Sequence, residues 1–243
     1  LEEDICRIAA AQGTAEVKLD KPGLVIMCAD NGVVAEGVSQ VGQEVTSTVT
    51  ANFVQHATSV AIMSAKAGVD IFPVDIGVNN DFPAELHAKG LIDRKIAYGT
   101  KNMVQEPAMT EAEAVQAIEV GLNLAVALAE QGYNILATGE MGIGNTTSSS
   151  AILSVLLDEP VEKMTGIGSG LTRAGIQRKQ QAIATAIAKH RPDAQKPLDV
   201  LAKVGGLDIA GLVGVFLGGA LCGVPVLIDG VISGAAALLA QRL

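Results

Sequence analysis

Tryptophan is absent from this chain, and aromatic residues make up only 2 % of its 243 positions. Stacking platforms for unpaired bases need aromatic side chains in series, and no such series exists. Basic residues are also scarce: Lys and Arg number 17 against 26 Asp and Glu, for a net charge of −9. With no basic stripe, the electrostatic footprint of a nucleic-acid binder is missing. Cysteine is rare as well. Cys6, Cys28 and Cys222 lie far apart without metal-ligand spacing, and Cys28 and Cys222, in apolar surroundings, are expected to be buried free thiols. His56, His87 and His190 are equally scattered, so no metal site is expected. The acidic opening Glu2-Glu3-Asp4 is the opposite of a secretory n-region. Repeats are lacking, and Arg191 to Pro197 is the one stretch of linker character. One domain over residues 1–243, in the cytoplasm, is the resulting expectation.

What the chain does have is aliphatic bulk and glycine. Hydrophobic residues make up 49 % of it, and glycines number 27. Four apolar runs read as parallel strands: Leu24 to Ala29, Ile71 to Ile76, Ile135 to Ala137 and Val224 to Ile228. Each is followed by a polar or glycine-rich turn, and helical patterns lie between them. The alternation predicts a doubly wound, mainly parallel α/β sheet with helices on both faces. Thr110 and Glu113 form a capping box ahead of the apolar stripe Ala114, Ile118, Leu122, Ala125 and Leu128, with Gly132 as the stop. A second helix is expected from Thr46 to about Lys66, with Val49, Phe53, Val60 and Met63 inward, and a third from Arg173 to Lys189. Leu1 to Ala11 also reads as helical. The uncharged run from Ile209 to Ile228 has the length of a membrane span. Its glycines, Pro225 and flanking Asp208 and Asp229 fit a buried helix, a turn at Gly223 and a strand better, so no membrane is expected.

Chemistry concentrates at the strand ends. Asp30-Asn31-Gly32 follows the first strand, with Glu36, Ser39 and Val41 behind it. The segment Gly139 to Thr147 places Glu140 after the third strand, followed by Gly142, Asn145 and Thr146 where a helix starts. In open α/β sheets ligands bind at this end of the strands. A carboxylate there is costly unless paired or solvated, so Glu140 is either functional or held by a structural hydrogen bond. Thr165 to Leu171 is glycine-rich and enters a helix carrying Lys179. It satisfies neither the dinucleotide fingerprint nor a Walker A loop. Phosphate held by loop amides and plain turn glycines both remain open for it. Lys179 would be a solvated helix residue unless that loop gives it a role. Asp30, Asp208 and Asp229 suit turns and caps as well as function.

Five segments carry a family resemblance: Met27 to Ser39, Ala137 to Thr147, Thr165 to Leu171, Lys203 to Gly214 and Gly223 to Ser233. Together the chain resembles the nicotinate-nucleotide–dimethylbenzimidazole phosphoribosyltransferases, which prepare the lower-ligand nucleotide of cobalamin. The resemblance implies transfer of the 5-phosphoribosyl group from nicotinate mononucleotide to 5,6-dimethylbenzimidazole. The products would be nicotinate and α-ribazole 5′-phosphate, with no cofactor, in a cytoplasmic homodimer. Gly168, Ser169, Gly170 and Leu171 with Lys179 would hold the phosphate. Asp208, Asp229, Gly142, Asn145 and Thr146 would serve phosphate or ribose, and Glu140 would stabilise the charge growing at the anomeric carbon. Asp30, Asn31, Glu36, Ser39 and Val41 would form the base pocket.

Two departures temper those implications. The family's general base is a glutamate in a Ser-Ala-Glu motif beyond the Ile228-Asp229-Gly230 strand end, which these 243 residues do not contain. Much of the family's small helical domain is expected to be absent with it, and turnover to be poor or nil. Asn31 stands where the family usually has histidine, and an amide is no base. A non-catalytic phosphosugar- or base-binding module is the alternative reading.

Overall fold

In a computed structural model, which describes residues 1–168 and 170–243, the chain builds a five-stranded parallel sheet. Its strands are β1 (Pro22–Ala29), β2 (Asp70–Gly77), β3 (Ile92–Asp93), β4 (Ile135–Met141) and β5 (Val226–Leu227), in the order β3-β2-β1-β4-β5. Every pairing is parallel, and Met27 of β1 sits beside Glu140 of β4. The strand order reverses between β1 and β4. In doubly wound sheets the crevice forms at that reversal, beyond the carboxyl ends.

The helices are α1 (Glu2–Gln12), α2 (Glu44–Phe53), α3 (Ser59–Ala67), α4 (Ala84–Ala88), α5 (Glu111–Glu130) and α6 (Asn145–Leu157). They continue with α7 (Val161–Met164), α8 (Arg173–His190), α9 (Pro197–Val204), α10 (Leu207–Cys222) and α11 (Val231–Arg242). Alternation along β1 splits the core in two. Val25, Met27 and Ala29 join Val74 and Ile76 in a large cluster with residues of α5, α6, α8 and α10, while Leu24, Ile26 and Cys28 meet Phe53 and Val78 on the opposite face.

The apolar run read as a membrane decoy becomes α10, buried between the sheet and α5. Glycines let the two helices touch backbone to backbone. A Cβ on Gly214 would fall 1.9 Å from the Ile118 carbonyl oxygen, and one on Gly121 1.8 Å from that of Gly211. Gly223, at φ 66°, then ends α10 in the left-handed conformation, the turn read from sequence. Thr110 and Glu113 do form the capping box of α5.

Four expectations need correcting. The helix expected over Thr46 to Lys66 is two helices. His56 turns left-handed at φ 54°, and the Thr58 side chain accepts from the Ala61 amide, starting α3 anew. The break rotates Met63 outward, where it is 69 % exposed. Cys222, at the last position of α10, is exposed rather than buried. The fourth strand pairs only over Val226–Leu227, since Pro225 has no amide to donate and joins the sheet through its carbonyl alone.

Candidate functional site

The carboxyl ends of β1 and β4 and the start of α6 meet at one place. Gly142 and Gly144 carry the chain from β4 into α6 with no room for side chains. A Cβ at Gly142 would lie 2.4 Å from Asp208 Oδ2 and 2.6 Å from the Ala29 carbonyl oxygen. This tightness brings α10, β1 and α6 together, and two consecutive residues at the start of α6 then reach in different directions.

Asn145 reaches the carboxylates. Its Nδ2 donates to Glu140 Oε2 at 2.5 Å and to Asp208 Oδ2 at 2.8 Å. Glu140 lines a cavity of about 460 Å³ together with Leu24, Ile26, Phe53, Leu227 and Asp229. Its carboxyl is raised above the usual range, first by burial and then by the Asp229 carboxylate, with the Asn145 bond opposing. Asp208 lies wholly out of solvent, and burial pushes its carboxyl up to about 7.

Thr146 reaches the cation. Lys179 Nζ, on α8, donates to Thr146 Oγ1 at 2.8 Å, and Lys179 is 0 % exposed. Among the described residues it has no carboxylate partner, and burial pushes its ammonium down to about 8. A Cβ on Gly168 would stand 3.2 Å from Lys179 Nζ, so the glycine loop passes directly over the ammonium. Gly168 and Gly170 hold φ of 58° and 86°, open to glycine and strained for other residues. A buried cation without a protein anion, under a loop of exposed glycines and beside a helix start, is a ready site for an anionic ligand. Ser169 lies outside the described residues.

The other sequence candidates fall in four places. Leu171 is buried and packs on Gly175 at the start of α8. Asp30 and Asn31 are buried behind the crevice floor: Asp30 Oδ2 accepts from the Asn79 amide at 2.8 Å, and Asn31 Oδ1 accepts from Ser148 Oγ at 3.1 Å. Glu36, Ser39 and Val41 sit on the loop beyond β1. Glu36 accepts from Asn102 Nδ2 at 2.6 Å, Ser39 Oγ accepts from the Val41 amide, and Val41 is 40 % exposed. None of these five lines the 460 Å³ cavity. The loop does touch the glycine loop and the helix after it: Gln40 Nε2 donates to the Gly170 carbonyl, and Arg178 Nε of α8 donates to the Gly37 carbonyl at 3.4 Å. Asp229 is exposed on the cavity's rim, while Asp208 reaches Glu140 only through Asn145.

Sequence reasoning missed the cavity's apolar walls. Leu24 and Ile26 alternate along β1 on the face that α2 and α3 cover only in part, and that two-residue period was the available signal. Thr46, at the start of the second helix expected from sequence, is fully buried, and its Oγ1 accepts from the Ile143 amide, tying α2 to the turn after Glu140.

Fold and site define a small-molecule protein of the α/β class, with a carboxylate pair and a buried cation at one helix start. A family model described as phosphoribosyltransferase matches residues 1–243, and the chain belongs to that family. It is 48 % identical, over all 243 residues, to the nicotinate-nucleotide–dimethylbenzimidazole phosphoribosyltransferase of Acetivibrio thermocellus, covering 68 % of that protein. It is 45 % identical to the enzyme of the same name from Clostridium acetobutylicum, again over 100 % of this chain and 68 % of the relative. The crystal structure of CobT from Thermus thermophilus superposes with a TM-score of 0.93 at 39 % identity, covering 99 % of this chain and 71 % of that one.

Proposed function

We propose that the site binds nicotinate mononucleotide and transfers its 5-phosphoribosyl group to 5,6-dimethylbenzimidazole. One observation carries the reading. Asn145 and Thr146, adjacent at the start of α6, tie a carboxylate on one side to a buried, unneutralised ammonium on the other. A phosphoribosyl donor carries the complementary pair: a phosphate at one end, and at the other an anomeric carbon that becomes positive as nicotinate departs. The phosphate sits over Lys179 within the Gly168–Leu171 loop, and Glu140 faces the ribose with Asp229 across the cavity. Holding both ends fixes the carbon for attack, and the pre-set carboxylate stabilises the charge developing there. The acceptor ring lies toward the segment that carries Asp30, Asn31, Glu36, Ser39 and Val41.

The same reading has residues 1–243 as one domain of a cytoplasmic homodimer. The family resemblance supports this, and the exposed side chains of Leu227 and Ile228 on the cavity suit the pairing of two copies. These residues transfer slowly by themselves. Glu140 cannot both face the anomeric carbon and take the ring proton, Asn31 has no basic atom, and no imidazole lines the cavity among the described residues.

Mixing the chain with both substrates and following nicotinate and α-ribazole 5′-phosphate by chromatography tests this. Slow formation of both products in equal amounts is the expected outcome. Rapid multiple turnover would contradict the slow step, and failure to bind the nucleotide would contradict the whole reading.

A further inference from the structure

Buried Asp208 and half-buried Glu140 share one amide group in this site, and no cation accompanies them among the described residues. Asp208 Oδ2 accepts from Asn145, but Asp208 Oδ1 has no partner although it is buried. Asp208 Oδ1 and Asn31 Oδ1 both border Gly206, 2.5 and 2.7 Å from the point where its Cβ would fall, and Asn31 Nδ2, buried without a partner, borders Gly142 beside Asp208 Oδ2. A charged carboxylate oxygen left dry and without a donor is unfavourable, and a proton on it removes the charge.

We propose that Asp208 is a positioning residue for Glu140: through Asn145 it holds the Glu140 side chain at the strand end, and by keeping a proton on Oδ1 it leaves the pair's single negative charge on Glu140. The inference rests on the phosphoribosyl-transfer reading for its functional consequence, though not for the proton itself. The surroundings favour this division of charge. Burial does most to raise the Asp208 carboxyl, and Glu140 on β4, the one charged group acting on it, raises it further. Asn145 of α6 and Asn31 after β1 are neutral amides, and the Cys28 thiol on β1, pushed far up by burial, is neutral as well. The amides at the start of α10 pull the other way, and burial outweighs them. Glu140 borders the open cavity, where substrate and water can solvate its charge, and Asp208 has neither.

The test has two arms. In the first, nicotinate release is followed in a single turnover with enzyme in excess. Asp208→Ala and Asn145→Ala should each slow it at least about tenfold. Asp208→Asn should recover to within about threefold, because its amide oxygen still accepts from Asn145 and its neutral nitrogen fills the proton's place. Above pH about 7 the parent's rate should fall as a second charge appears beside Glu140, and that fall should be absent from Asp208→Asn. An Asp208→Asn protein as slow as Asp208→Ala would show that charge on Asp208 is required, and would overturn the proposal. So would full rates in Asn145→Ala. The second arm titrates 13C-labelled aspartate carboxyls in the free chain, with Asp208→Asn used for assignment. Asp208 should titrate near 7. An Asp208 already ionised at pH 5, with Asn31 turned to donate to it, would overturn the proposal. If the parent releases no nicotinate at all, the transfer reading fails and the titration still decides the proton.

Discussion

Lys179→Met binds nicotinate mononucleotide about 30-fold more weakly than the parent and yet melts at a higher temperature. A hydrogen bond to a charged group contributes about 1.5–3 kcal/mol, and an ammonium facing a phosphate out of water belongs to that class. Methionine keeps most of the volume of the buried stem, so packing inside α8 changes little. The stability effect has the opposite sign because the ammonium is buried without a protein anion among the described residues. Its folded-state value of about 8 lies below the ordinary 10.5. Between those two pH values the unfolded chain holds the proton and the folded chain has lost it. The parent therefore gains stability as pH rises from about 8 toward 10.5, and at pH 7 it carries the full penalty, on the order of 3 kcal/mol. Thermal melts at pH 7 and above should show the variant's advantage shrinking across that window. A variant that melts lower at pH 7 and binds the nucleotide normally would make Lys179 a structural residue.

Glu140→Gln lowers the single-turnover rate of nicotinate release by roughly 10²–10³ while changing nucleotide affinity by less than about threefold. Those are the magnitudes seen when one pre-set group facing transition-state charge is removed. The glutamine oxygen still accepts from Asn145, so the turn at Gly142 keeps its shape and the phosphate its seat. Loss of rate without loss of binding means an interaction made only in the transition state. Equal losses in both would place Glu140 in ground-state binding, and an unchanged rate would remove it from the chemistry.

The strand ends were legible because burial and turn chemistry leave opposite marks on neighbouring residues. Apolar runs followed by Asp30-Asn31-Gly32 or Gly139-Glu140 located β1 and β4, and the capping box located α5. β3 left no such mark, since two residues at a sheet edge need no apolar run. The split of α2 from α3 was hidden because the apolar spacing continues across a break that the backbone makes at His56. Glu140 and Lys179 could be named from sequence, but their environments could not. Lys179 follows an exposed loop in a polar helix, and its enclosure depends on the packing of α8 against α6 and on the passage of Gly168 beside Thr146. Asp208 opens an apolar helix, as a capping residue would. Its place behind Asn145 depends on the contact of α10 with the turn after β4, which joins residues 63 apart.

The central claim is that a phosphate is held at Lys179 while Glu140 faces the sugar. Comparing nicotinate mononucleotide with nicotinate riboside, which lacks only the phosphate, tests it most directly by calorimetric titration of the parent and of Lys179→Met. The parent should bind the mononucleotide at least about 30-fold more tightly than the riboside, a margin that one charged hydrogen bond supplies. In Lys179→Met most of that preference should vanish. Equal affinity of the parent for both ligands, or a preference that survives loss of the lysine, would contradict the account.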